Sequence, residues 1–172
     1  MKILIFSILL SCVSLADSVE LVTGSVTYHV LGGHDEYANQ IIGNSTLWTP
    51  LIGIGYNRFF DDSCGASLVS YKFYVGRNSV AEPIYGFLWG PGYRGNYFDI
   101  SMVMGGYFQD NGPFGDRGIA PYSLTDGHNA FVMLAGFEVD LKLPVYKDYF
   151  IKLDSLFTPT IITEGVSFGV NF

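Results

Sequence analysis

The chain ends in Gly165-Val166-Ser167-Phe168-Gly169-Val170-Asn171-Phe172, and this stretch decides the fold. Its apolar residues alternate strictly with small or polar ones, so that one face carries Val166, Phe168, Val170 and Phe172. A period of two residues is typical of a β-strand whose faces meet different surroundings. In membrane barrels the apolar face meets lipid and the small or polar face meets the lumen. The stretch therefore predicts the last strand of a transmembrane barrel.

The same alternation recurs in seven upstream segments. They are residues 19–31, 50–60, 66–75, 82–91, 96–108, 130–142 and 148–157. In the first segment the pattern places Val22, Val26, Tyr28 and Val30 outward, and Thr23, Ser25, Thr27 and His29 inward. Eight strands, an even number, predict an all-β protein: an eight-stranded antiparallel transmembrane up-and-down β-barrel.

The predicted connections fall into two classes. Short ones cover residues 61–65, 92–95 and 143–147, and longer ones cover 32–49, 76–81, 109–129 and 158–164. Short turns and longer loops alternate along the chain, as expected when both termini are periplasmic and the longer loops are extracellular.

Composition supports a membrane protein that crosses with strands. The 172 residues are 49% hydrophobic and 15% charged, with 21 glycines, whereas a soluble domain carries about 25% charge. Beyond the first dozen residues no apolar run approaches the roughly 20 residues that a membrane-spanning helix needs. The alternative is a soluble eight-stranded barrel or a β-sandwich, but such folds place the apolar face inside.

The N-terminus predicts secretion. Residues 1–16 read as a signal peptide, with Lys2, an apolar stretch over 3–10 and a small-x-small site ending at Ala16, so that the barrel domain covers 17–172. A lipoprotein signal with Cys12 as the lipidated residue is the alternative. Cleavage after Ala16 leaves Cys64 alone, and the net charge of −7 excludes a nucleic-acid partner.

The inward positions include charges of both signs. They are Lys72, Asp99, Glu138, Asp140, Lys152 and Asp154. An eight-stranded lumen holds side chains or one slim ligand, which excludes a porin. We expect these charges to pair in a polar plug.

Four stretches resemble the lipid A palmitoyltransferase (PagP) family of eight-stranded outer-membrane barrels. The matching stretches are Thr27-Tyr28-His29, Glu82-Pro83-Ile84-Tyr85-Gly86-Phe87-Leu88-Trp89, Asp110-Asn111 with Ile119 and Pro121, and Phe157-Thr158-Pro159 with the final strand. The resemblance implies the bacterial outer membrane as location and transfer of an acyl chain from phospholipid to lipid A. It implies outer-membrane lipids (phospholipid, lipid A or lipopolysaccharide) as partners of a monomer without cofactor or metal.

Within this resemblance the catalytic candidates are His29, Asn78 and Ser79. His29 matches the family's catalytic histidine and is suited to act as the base, while Asn78 and Ser79 align with a family Asp-Ser pair and are suited to stabilise an oxyanion. The substrate-binding candidates are Gly86 and Leu88, where Leu88 replaces a family glycine and is expected to shorten the acyl slot.

Several features depart from the family and keep an alternative open. Asn78 cannot act as a carboxylate, and the family's amphipathic helix before strand one has no counterpart, since Val19 follows cleavage almost at once. His29 can instead be a lumen histidine bonded to threonines. The alternative function is a non-enzymatic barrel that acts through its extracellular loops in surface modification, receptor masking or lipopolysaccharide binding.

Overall fold

The described part of the structure consists of β-strands and the turns between them. The computed structural model describes residues 17–29, 48–60, 67–77, 83–110, 123–125, 129–159 and 161–172. Its strands are β1 (Ser18–His29), β2 (Trp48–Phe59), β3 (Leu68–Arg77), β4 (Pro83–Arg94), β5 (Phe98–Asp110), β6 (Ser123–Thr125), β7 (Asn129–Tyr146), β8 (Tyr149–Phe157) and β9 (Ile161–Asn171). No helix within these ranges is long and apolar enough to cross a membrane.

The eight long strands close into a barrel. They are ordered β5-β4-β3-β2-β1-β9-β8-β7, and pairing of β5 with β7 joins the two ends of this row. All pairs are antiparallel, which confirms the predicted eight-stranded fold. One further strand, β6, has three residues and pairs with β7. It lies within the predicted long connection 109–129, where the sequence indicates no strand.

The two ends of the barrel differ. At the end that we call the terminal end, Ser18 pairs with Asn171, and tight turns cover residues 95–97 and 147–148. The opposite end, called the loop end, carries the two longest connections, those after β1 and β5. Its β3–β4 and β8–β9 connections are shorter than the β2–β3 connection at the terminal end. One prediction fails there: the connection predicted over 158–164 is only 158–160, because β9 begins at Ile161. The backbone N–H of Thr158 donates to the carbonyl of Ile161 at 2.9 Å, and the Thr158 hydroxyl accepts from the Ile161 N–H at 2.9 Å.

The exterior is apolar and the interior is polar. Large apolar side chains point away from the barrel, among them Ile54, which is 61% exposed, and Phe73, which is 63% exposed. The buried polar residues include Glu20, Ser70, Lys72, Asp99, Ser101, Glu138, Asp140, Lys152, Asp154 and Ser167. This arrangement is the reverse of a soluble barrel or sandwich, so those alternatives are excluded.

A β-bulge in β1 changes which residues face the lumen. The pairing register with β2 shifts between Thr23 and Ser25, at Gly24, whose φ of 43° is a backbone conformation that glycine adopts without strain. The prediction that Val22 points outward and Thr23 inward is therefore wrong. Val22 lines the lumen, whereas Thr23 pairs with the exposed Ile52.

Candidate functional site

A cluster of six charged side chains fills the middle of the lumen. This lumen ion cluster consists of Glu20 on β1, Lys72 on β3, Glu138 and Asp140 on β7, and Lys152 and Asp154 on β8. Each of the six is less than 10% exposed. The strand alternation brings them together, because every member occupies an inward position of its strand.

Two lysines hold the lumen ion cluster together. Lys152 Nζ lies 2.8 Å from Glu20 Oε1, 2.6 Å from Asp140 Oδ2 and 3.9 Å from Asp154 Oδ1. Lys72 Nζ lies 2.6 Å from Glu138 Oε1 and 3.4 Å from Asp154 Oδ1. Asp154 also accepts a hydrogen bond from the Ser167 hydroxyl of β9. The predicted pairing of buried charges is thus confirmed.

These contacts cross the lumen. Lys72 and Glu138 belong to β3 and β7, which are separated by β4 and β5 on one side and by four strands on the other. Lys152 reaches from β8 past β9 to Glu20 of β1. The side chains therefore join strands that are not neighbours, and they occupy the middle of the described lumen.

Further polar contacts lie between the lumen ion cluster and the terminal end. Lys142 Nζ lies 2.8 Å from Asp99 Oδ1, and Asn57 Nδ2 donates to Ser18 Oγ at 3.2 Å and also to Glu20. At the end of β4, the Arg94 guanidinium lies 3.7 Å from the centroid of the Phe59 ring. The terminal half of the lumen thus contains charged and polar side chains, together with the buried apolar side chains of Leu68 and Phe150.

The loop half of the lumen is different, because most of its walls are apolar. Leu88, Val103, Leu134 and Leu156 form a buried cluster, with Tyr74, Tyr107 and Ile161 packed against it. The opposite wall carries hydroxyls: Ser25 Oγ lies 2.5 Å from Thr49 Oγ1, and Thr27 Oγ1 lies 3.2 Å from the same atom.

Between these walls lies a cavity of about 130 Å³. It reaches from Arg77 and Ile161 near the loop end to Lys72, Glu138 and Asp154, which form its floor. A dry cavity of about 150 Å³ accepts benzene, whereas pockets for drug-sized ligands measure about 300–1,000 Å³. The cavity therefore suits a short apolar group.

The two predicted substrate-binding residues have different positions relative to this cavity. Leu88 is 7% exposed and lines it. Gly86 is not among the lining residues, since a Cβ at this position would lie 2.7 Å from Cζ of Tyr74, whose ring packs across it. Gly86 therefore makes room for Tyr74, and Leu88 takes up space that a smaller residue would leave to the cavity.

The described part of the structure does not include all three predicted catalytic residues. His29 is the last residue of β1, and its backbone pairs with Ile161 of β9. Asn78 and Ser79 lie outside the described residues, directly after β3. The roles assigned to these three residues remain predictions.

Sequence reasoning missed Glu20 and Lys142, which are buried partners of Lys152 and Asp99. Ser18 and Glu20 are two residues apart at inward positions, so alternation in this part of β1 predicts an inward Glu20. The apolar Val22 and the bulge that follows it interrupt the pattern and hide this prediction. The predicted strand ends at Lys142, whereas β7 continues to Tyr146.

Loss of one lysine from the lumen ion cluster tests whether the ion pairs are desolvated. We expect Lys152→Met to lower the free energy of unfolding by about 3–5 kcal/mol, because it leaves Glu20 and Asp140 without their cation. The matched control Lys147→Met, in an exposed turn, is expected to stay within about 0.5 kcal/mol of the wild type. Urea unfolding of protein refolded into lipid vesicles measures both. If both variants change the free energy of unfolding by equally small amounts, water reaches the cluster.

Comparison with known proteins supports the fold. Protein-family models give no match to the chain, and neither do curated proteins. Among solved structures, the chain is similar to Ail, the attachment invasion locus protein of Yersinia pestis, in complex with the heparin analogue sucrose octasulfate. The identity is 13% over 92% of this chain and 100% of that chain, with a TM-score of 0.53.

A second similar structure is the N-terminal β-barrel domain of Pseudomonas aeruginosa OprF. It is 11% identical over 91% of this chain and 97% of that chain, with a TM-score of 0.47. The palmitoyltransferase resemblance remains a prediction. The chain has the fold of the eight-stranded outer-membrane β-barrels.

Proposed function

We propose that the protein is a non-enzymatic bacterial outer-membrane barrel that acts through its extracellular loops. The observation that carries this proposal is the lumen ion cluster, whose side chains join strands that are not neighbours and occupy the middle of the lumen. A closed, narrow barrel transports no solute, so its surface for partners lies at the ends. The loop end presents the two longest connections and is the better candidate.

The proposed orientation follows from the two ends. The signal peptide over 1–16 directs secretion, the mature chain begins at Asp17, and both termini face the periplasm. The apolar exterior, including Ile54 and Phe73, contacts lipid, and the protein acts as a monomer. The loop end then lies at the cell surface.

The proposed ligand of the loops is lipopolysaccharide. The sequence of the longer connections includes Asp35, Glu36, Asp116 and Asp126. Carboxylates bind hard divalent cations, which bridge them to lipid phosphates. Ail was solved with a polyanion, but the acidic residues in the present loops oppose direct binding of a polyanion, so a bridging cation is required.

Binding of purified mature protein to immobilised lipopolysaccharide tests this proposal. We expect binding in Ca²⁺ or Mg²⁺ that falls at least about tenfold in EDTA and in a variant combining Asp35→Asn, Glu36→Gln, Asp116→Asn and Asp126→Asn. The control Asp148→Asn, in the exposed turn at the terminal end, is expected to bind like the wild type. Binding that is insensitive to both EDTA and the loop variant would contradict the proposal.

A second candidate function is acyl transfer to lipid A. The cavity in the loop half supports it, because an apolar slot that reaches the loop end is what an acyl chain requires. In this function His29 takes the proton of the lipid A hydroxyl as its oxygen attacks the ester carbonyl of a phospholipid, and Asn78 and Ser79 donate hydrogen bonds to the developing oxyanion. The ester C–O bond of the donor then breaks, and His29 returns the proton to the departing lysophospholipid oxygen. Leu88 and the nearby Gly86 set the depth of the slot. A volume of about 130 Å³ admits only a short acyl segment.

Mass spectrometry of lipid A from cells that express the protein separates the two functions. The non-enzymatic function predicts the same lipid A masses with the wild type, His29→Ala and Leu88→Gly. The transferase predicts an added acyl mass that is lost in His29→Ala and becomes larger in Leu88→Gly, since removing the leucine side chain deepens the slot. Detection of each variant in the outer membrane is the control for expression.

A further inference from the structure

The charges of the lumen ion cluster do not balance. Glu20, Glu138, Asp140 and Asp154 supply four carboxylates, whereas Lys72 and Lys152 supply two ammonium groups. Fully ionised, the cluster therefore carries a net charge of −2, from two positive and four negative groups. A buried charge without a partner costs several kcal/mol, so the excess is expected to be balanced by a further cation or by protons on the carboxylates.

Three carboxylates of the lumen ion cluster each have one oxygen without a hydrogen-bond partner in the described part of the chain. These buried atoms are Glu20 Oε2, Glu138 Oε2 and Asp140 Oδ1. The other oxygen of each carboxylate contacts a lysine: Glu20 Oε1 and Asp140 Oδ2 contact Lys152, and Glu138 Oε1 contacts Lys72. The lysines thus leave half of each carboxylate available for a second cation.

The spacing of the acidic groups fits a metal ion. Glu138, Asp140 and Asp154 each offer one oxygen, and these three oxygens lie within 4.8 Å of one another. Oxygens around a common Ca²⁺ lie about 2.3–2.6 Å from it, which permits separations of this size. The ligands are all carboxylate oxygens, which favours a hard cation over zinc or copper.

The cavity in the loop half borders two of these acidic groups. Glu138 and Asp154 form part of its floor, and it continues to Arg77 and Ile161 near the loop end. A cation bound by these groups would therefore lie at the floor of the cavity, away from the terminal half that Arg94 and Lys142 occupy.

We propose that the lumen ion cluster binds one hard divalent cation, Ca²⁺ or Mg²⁺, through Glu138, Asp140 and Asp154. One such ion brings the net charge of the cluster to zero. It also joins β7 and β8 directly, because Asp140 and Asp154 are partners in the register of these two strands. The site lies inside the barrel and does not depend on the loops or on the proposed function.

Calorimetric titration of Ca²⁺ and Mg²⁺ into the mature protein in detergent micelles tests this inference. We expect a binding event that Glu138→Gln abolishes, with Asp140→Asn as the second variant if the first does not fold. Asp99→Asn is the matched control, since Asp99 is buried in the same lumen but pairs with Lys142 outside the cluster, and it is expected to retain binding.

Unfolding measured with metal and with EDTA gives a second readout. At a metal concentration one hundred times the dissociation constant, the folding equilibrium constant of the wild type is expected to rise about a hundredfold, and that of Glu138→Gln to stay unchanged. Absence of binding in the wild type overturns the proposal, as does binding retained in both Glu138→Gln and Asp140→Asn. Stability that responds to pH but not to metal also overturns it, since protons would then balance the charge.

Discussion

The need to satisfy every backbone hydrogen bond in a medium without water determines this structure. A strand in hydrocarbon has no solvent partner for its N–H and C=O groups, so each strand needs a neighbour on both sides. Pairing of β5 with β7 meets this need by closing the row of eight long strands. Once the ring is closed, the two faces of each strand meet different media: one lies against lipid and the other against the lumen.

The lumen is narrow because the barrel has only eight long strands. The contacts between charged side chains inside it follow from this small width. Eight strands leave room for little more than side chains, so charged groups from strands that are not neighbours come within contact distance. Lys72 and Lys152 are desolvated by this packing and are stabilised by the carboxylates of β1, β7 and β8. The loop half has fewer charges, and Leu88, Leu134 and Leu156 pack there around a small cavity. The ion pairs thus limit a ligand inside the described barrel to a small group.

Local alternation predicted the strands and most of the inward charges, because each strand contacts lipid on one face along its whole length. Alternation fails where a single residue interrupts the period, as Gly24 does, so the orientation of Val22 was predicted wrongly and Glu20 was overlooked. It also cannot show which charges meet. The contact of Lys152 with Glu20 spans 132 positions in the sequence and depends on how β8, β9 and β1 are staggered around the barrel. β6 has only three residues and no period of its own.

The candidate catalytic residues show a different limit of sequence reasoning. His29, Asn78 and Ser79 are assigned by resemblance, and strand alternation does not predict where connection residues such as Asn78 and Ser79 lie relative to His29. The positions of Leu88 and Tyr74 in the lumen are better defined than those of the three catalytic candidates, because the pairing register of β3 and β4 fixes both residues. The sequence therefore predicts the shape of a lumen site more securely than its chemistry.

The most direct test of the central claim, that the apolar face of this barrel meets lipid, compares lysine at two equally exposed positions. Ile54 lies midway along β2 and Val145 lies beside the turn at the terminal end, and both are 61% exposed. Urea unfolding in lipid vesicles is predicted to show Ile54→Lys less stable by about 2–4 kcal/mol and Val145→Lys by no more than about 1 kcal/mol, since the cost of a charge depends on its depth in the bilayer. Equal small losses of stability at the two positions would show that Ile54 faces water. That result would contradict the claim that the apolar face of the barrel meets lipid.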